Sequence, residues 1–230
     1  MLIGPDGLAK LRAAKVAVFG VGGVGGYAVE ALARAGVGAI GLYDGDVFCL
    51  SNLNRQLHAT HSTIGRYKVD AAKERIALID PEITVEAHRV YYRPDNADTV
   101  DISKYDYILD AVDMVTAKLE LAVRAHKAGI PIIACMGAGN KLNPAAFEVG
   151  DIYGTEVCKL SKVMRTELRK KGVPALKVVW SREPALIPLN LDPSPTRRVI
   201  PGSISFAPAA AGIIMAGEAV RDYLNIKYKL

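Results

Sequence analysis

Cysteine is scarce in this sequence. Cys49, Cys135 and Cys158 are odd in number, widely spaced and form no CxxC pair. That disfavours a disulfide framework and a four-cysteine zinc centre, and a cytoplasmic setting follows. Long apolar runs are missing as well. Of the 230 residues 50% are apolar, yet no uninterrupted run approaches the roughly 18–20 residues that a bilayer requires. The nearest, 206–217, is broken by Pro208 and several glycines and closed by Glu218 and Arg221, so it reads as a buried helix. The N-terminus lacks a basic region leading into an apolar stretch and a small-residue cleavage site, and export is not expected. Nor is there an acidic excess. A net charge of +5 and a pI near 9.0 suit a polyanionic partner, although many soluble proteins carry such charge for solubility alone.

What is present alternates. Residues 15–20 form a short apolar run ending in glycine, as a strand buried on both faces does. Residues 24–35 have helical composition with Gly36 placed to stop the helix, and 39–43 read as the next strand. Helices are predicted at 67–79 and 115–128, and strands at 83–87, 106–110 and 130–135. Strands alternating with helices predict a Rossmann-like, doubly wound, mostly parallel α/β sheet. Beyond Gly137 the texture changes. Asn143-Pro144 and Gly150 break up a region expected to add antiparallel strands, followed by a basic helix at 156–171 and a strand at 175–181. Residues 182–198 carry four prolines and predict a mobile loop; 204–224 return to an apolar helix. The chain is long enough for one large domain with a full core, and the second part is too interleaved to stand alone.

Gly20, Gly22, Gly23 and Gly25 sit between the first strand and its helix. Glycines let the backbone turn sharply and approach a phosphate, and the helix N-terminus offers free N–H groups and a positive dipole. Asp44 and Asp46 end the next strand, where a carboxylate can accept from ribose hydroxyls. This much fits an NAD-dependent enzyme and an ATP-binding protein alike.

The residues that follow break the tie. Asn52, Arg55, Gln56 and Lys68 come directly after the ribose acid, where an NAD enzyme needs no polar cluster. A nucleoside triphosphate attacked at its α-phosphate needs cations on its phosphates and a metal-binding carboxylate opposite. Arg55 and Lys68 can supply the cations. The carboxylate should come from the end of the 106–110 strand, because ligands lie at the carboxyl ends of parallel strands, and Asp110-Ala111-Val112-Asp113 provides it.

These motifs resemble the ubiquitin-activating-enzyme-like (ThiF/MoeB/HesA) adenylyltransferases, and within them the tRNA threonylcarbamoyladenosine dehydratases. The likeness runs over essentially the whole chain. It is carried by Leu2-Ile3-Gly4 with Gly7-Leu8, the glycine loop, the run from Asn52 to Ala59, and Gly65-Arg66-Tyr67-Lys68. Asp151-Ile152-Tyr153 with Val157-Cys158, Val178-Val179-Trp180-Ser181 and the run from Gly202 to Phe206 complete it. Two departures stand out. Related activators carry an Arg just before the stretch matching Leu2-Ile3-Gly4, which this sequence lacks, implying weak triphosphate binding or turnover. It also has neither the Cys that some relatives bear near Gly202 nor paired zinc cysteines.

The resemblance implies one adenylation domain over 1–230, with 1–137 binding nucleotide and 138–230 serving substrate and dimer contacts. ATP and Mg2+ are the implied cofactors, with a monovalent cation left open. Asp44 would hold the ribose, Asn52, Arg55 and Lys68 the phosphates, and Asp113 the Mg2+; Asp46 and Gln56 match the nucleotide motif. The implied substrate is tRNA bearing N6-threonylcarbamoyladenosine at position 37, dehydrated to a cyclic form through a carboxyl-adenylate. A homodimer and a sulfur-transfer partner protein are implied too. The alternative is activation of the C-terminus of a ubiquitin-like sulfur carrier. Arg165, Arg169, Lys170 and Lys171 on the basic helix, with Arg197 and Arg198, are the candidate RNA contacts.

Overall fold

The computed structural model describes residues 2–188 and 201–226. Seven strands form one sheet: β1 (Lys15–Phe19), β2 (Ala39–Tyr43), β3 (Thr84–His88), β4 (Tyr107–Asp110), β5 (Ile132–Cys135), β6 (Phe147–Asp151) and β7 (Lys177–Ser181), in the order β3-β2-β1-β4-β5-β7-β6. The first six in that order pair in parallel, with Phe19 level with Tyr43 and Asp110. Only β6 runs the other way, antiparallel to β7 at one edge. The expected Rossmann-like fold is borne out, and the reversal after Gly137 is confined to that one strand.

The central strands are apolar on both sides by simple alternation. Val16 and Val18 turn into one core, Ala17 and Phe19 into the other. Helices α1 (Gly4–Ala13), α2 (Gly25–Ala35), α3 (Lys68–Ile79) and α6 (Phe206–Tyr223) cover the first face, and α4 (Val115–Ala128) covers the second with α5 (Lys159–Lys170). Gly36 and Gly129 adopt the left-handed conformation that ends α2 and α4. The apolar run near the C-terminus is α6, packed across α2 with Ala211, Met215 and Ala216 in the core. Among the described residues no helix is long and apolar enough to cross a membrane.

Some boundaries differ from expectation. Helix α1 was not expected: two glycines and a single buried residue, Leu11, leave it almost no apolar stripe to detect. The third strand lies one residue further on, at Thr84–His88, because its register is set by pairing with Ala39–Tyr43. The fifth strand starts at Ile132, after Pro131, which has no N–H for a ladder. The basic helix begins at Lys159, with Cys158 capping it. Of the loop predicted over 182–198, residues 189–198 lie outside the described residues.

Candidate active site at the carboxyl ends of the strands

Because β1, β2 and β4 are parallel neighbours, their carboxyl ends deliver the glycine loop, Asp44 and Asp110–Asp113 to one rim. The turn after β1 is possible only without side chains. Gly20 has φ +86°, and a Cβ there would lie 2.6 Å from the carbonyl oxygen of Ala111. A Cβ on Gly25 would meet Gly20 O at 1.8 Å. The loop is thus pressed onto the β4 end, and the first turn of α2 opens at the rim with Gly26 N donating back to Gly22 O at 3.0 Å. Gly22 faces the buried Gln56, whose Nε2 lies 3.7 Å from where a Cβ would stand; Gly23 faces the Arg55 stem and Pro208 at 3.4 Å.

Asp44 ties the loop to the second strand. Its Oδ2 accepts from Val21 N at 2.7 Å and its Oδ1 from Asp46 N at 2.8 Å. Burial pushes this carboxyl above the usual carboxylate range, against the pull of Lys68 and the two amides. Two residues on, Asp46 has both oxygens engaged: Oδ2 accepts from Lys68 Nζ at 2.8 Å and Oδ1 from the Tyr91 hydroxyl at 2.6 Å. Partial burial would raise the Asp46 carboxyl, but the Lys68 and Tyr91 hydrogen bonds hold it below its usual range. The sequence placed Asp46 beside the nucleotide; the structure gives it Lys68 as a partner. The Lys68 side chain is only 7% exposed, so its ammonium is aimed rather than free.

Across the loop, Asn52 is buried and accepts from Cys49 N at 3.1 Å. Arg55 donates to Ser51 O at 2.7 Å and to Asn54 Oδ1 at 3.1 Å, which holds its guanidinium by the loop. Asn54 in turn donates to Ser203 O at 2.9 Å, tying the run from Gly202 to Phe206 to this segment. Gln56 is buried with no partner for Oε1. A buried amide oxygen left unpaired is costly unless a ligand or water completes it. Asp113, three residues past β4, is exposed and makes no hydrogen bond or ion pair with another described residue.

Among the described residues no cluster of three or more His, Cys, Asp or Glu side chains could hold a metal unaided. A lone, exposed carboxylate two residues beyond Ala111, which the glycine loop touches, nevertheless suits Mg2+, which keeps several waters and takes other ligands from phosphates. A separate open cleft of about 760 Å3 lies beyond β3, lined by Asp70, Lys73, His88, Arg89 and Lys104. None of the site residues described above lines it.

Three residues outside the predicted set matter. Lys118, from the first turn of α4, is fully buried against Asp110; its helix spacing reads as an ordinary surface lysine. Tyr91 holds Asp46, and no local motif signals it. His58 lies under the first turn of α2, buried, with Nε2 unpartnered. Burial holds its imidazole down at about 4, from an ordinary 6.5. A folded value below the unfolded one means stability is complete above pH 6.5 and is lost as pH falls from 6.5 towards 4. The loss is on the order of 3 kcal/mol. Chemical unfolding at pH 7 and pH 4 should show it in the wild type and largely abolish it in His58→Leu; equal losses in both would contradict the assignment.

The cations of the basic helix differ in how far they are engaged. Arg165 is not a free cation: it donates to Thr155 O at 2.8 Å and to the Thr155 hydroxyl. Arg169 lies over the Tyr153 ring at 5.0 Å, and Lys170 pairs with Glu167 at 2.7 Å. Lys159, Lys162, Arg169, Lys170 and Lys171 are the exposed cations of that helix and its cap. Arg197 and Arg198 lie outside the described residues.

A family model described as the ThiF family matches residues 1–228. The chain is 41% identical over 235 residues to the tRNA threonylcarbamoyladenosine dehydratase of Bacillus subtilis (strain 168), covering 98% of this chain and 92% of that protein. Among solved structures it resembles the E. coli tRNA N6-threonylcarbamoyladenosine dehydratase in complex with AMP, with a TM-score of 0.89, and in complex with ATP, with a TM-score of 0.86. Both are 31% identical and cover 97% of this chain and 91% of the other. The resemblance read from the motifs is borne out: this chain belongs to the ThiF family.

Proposed function

We propose that the chain activates a carboxylate with ATP, and that the carboxylate is the threonine group of N6-threonylcarbamoyladenosine in tRNA. The observation that carries the reading is the buried Lys68 ammonium, held by Asp46 on one side of the glycine loop, with Arg55 on the other and an uncommitted Asp113 on the rim. The names of its relatives supply the substrate.

Asp44 accepts from the ribose hydroxyls, and the loop amides and the dipole of α2 receive the phosphates. Lys68 and Arg55 stabilise charge on the phosphate oxygens as the α-phosphorus is attacked. Asp113 would hold Mg2+, which when bound neutralises the leaving pyrophosphate. The threonine carboxylate attacks the α-phosphorus, the bond to pyrophosphate breaks, and an acyl-adenylate remains. The ureido group of the same nucleoside then attacks the acyl carbon and expels AMP, which carries away the former carboxylate oxygen. Intramolecular attack reaches effective molarities on the order of 10⁵ M, so no enzyme nucleophile is needed. That agrees with Cys135, buried in the core with its thiol pushed up to about 12 by burial.

A homodimer is part of this reading. So is RNA contact through the exposed Lys159, Lys162, Arg169, Lys170 and Lys171, whose phosphate pairing would orient the anticodon arm. Pyrophosphate release should appear with ATP, Mg2+ and modified tRNA, and not with unmodified tRNA or a Gly-Gly-ended carrier protein. Release that depends on the carrier alone would replace this proposal with carrier activation.

A further inference from the structure

A buried ion pair lies directly beneath the proposed metal-binding carboxylate. Lys118 and Asp110 have no exposed side-chain surface, and Nζ meets Oδ1 at 3.0 Å. The same ammonium also donates to Val112 O at 3.1 Å and approaches Asp110 O at 3.4 Å. All three donors of one lysine therefore converge on the turn from Asp110 to Val112. Asp110 Oδ1 further accepts from Val112 N at 3.2 Å, while its Oδ2 has no partner. From the opposite side Ala111 is fixed by its hydrogen bond to Phe19 O at 2.8 Å and by contact with Gly20. The residue immediately before Asp113 thus has both its carbonyl and its amide pinned.

Stability explains this arrangement poorly. Desolvating two charges costs about as much as their attraction returns, and apolar residues of similar size usually serve a core as well or better. Orientation explains it. Asp113 makes no hydrogen bond or ion pair with another described residue, so its direction is set by the turn that carries it. A neighbouring buried carboxylate without its lysine would also repel the rim charge or take up a proton.

We infer that Lys118 is a positioning residue for Mg2+–nucleotide binding, acting through the Asp110–Val112 turn to aim Asp113. The role rests on the adenylating site proposed above. It never touches nucleotide; it fixes the metal-binding carboxylate as an outer-shell group fixes a ligand.

The test is calorimetric titration of the full chain with ATP across a Mg2+ series, and with AMP without Mg2+. Lys118→Met should raise the Mg2+ needed for half-maximal ATP binding by about tenfold or more, the range seen when outer-shell partners are removed. AMP affinity should be unchanged. Since Lys118→Met leaves a buried carboxylate unpaired and can unfold the chain, the double variant Asp110→Asn with Lys118→Met, which removes both charges, should show the same rise. A folded variant with wild-type Mg2+ dependence overturns the role alone. So does parallel weakening of AMP and ATP, which is what a merely structural lysine would give. A wild-type chain that binds no ATP at any Mg2+ concentration overturns the adenylation reading itself, and this role with it.

Discussion

Asp113→Ala is expected to cut pyrophosphate release to about one-thousandth of wild type or less, the scale associated with losing a principal stabiliser of transition-state charge. The fold should be untouched. Asp113 is exposed and makes no hydrogen bond or ion pair among the described residues, and surface changes of that kind stay within about 0.5 kcal/mol. The informative result is therefore a split: thermal unfolding unchanged, AMP binding retained, adenylation lost. Asp113→Asn should behave nearly as badly, since an amide keeps the shape and removes the charge that Mg2+ requires. A variant that releases pyrophosphate at a wild-type rate would remove Asp113 from the chemistry.

The second large effect belongs to Lys68. Lys68→Met should slow adenylation by roughly 100- to 1,000-fold, because a preorganised cation in a water-poor site is worth far more than one in solvent. Asp46→Asn should cost much less, about tenfold, in the range of a lost outer-shell partner. In that variant the ammonium survives and loses only the contact that aims it. Comparing the two in single-turnover experiments separates the group that meets phosphate from the group that holds it. If Asp46→Asn proves the more damaging, then Asp46 itself contacts the nucleotide or metal, and the two residues exchange roles.

The parts of the fold that could be read in advance share one property: their signal is local. Val16–Phe19 is a continuous apolar run closed by glycine, and Gly36 ends its helix because an αL residue is needed there. The glycine loop and the run from Asn52 to Lys68 were legible for the same reason, since the loop's geometry and the order of polar groups are both written in consecutive residues. What escaped was non-local. Asp46 and Tyr91 are 45 positions apart, and nothing near either residue announces their contact. Lys118 reads as a surface lysine until α4 folds it back beneath Asp110. The basic helix misled in the opposite direction. Its sequence displays a row of cations, but whether Arg165 reaches solvent or Thr155 depends on where the preceding turn packs. Direction of pairing was legible in part: the change of texture after Gly137 announced antiparallel pairing, and Phe147–Asp151 runs antiparallel to Lys177–Ser181.

One labelling measurement bears most directly on the central claim. Modified tRNA carrying 18O in the threonine carboxylate is mixed with the purified chain, ATP and Mg2+, and AMP and pyrophosphate are analysed by mass. Attack on the α-phosphorus followed by ring closure must leave one 18O in AMP and none in pyrophosphate, in proportion to the cyclic product. Cyclic product formed with unlabelled AMP, or with label in inorganic phosphate alongside ADP, would contradict adenylation at this site.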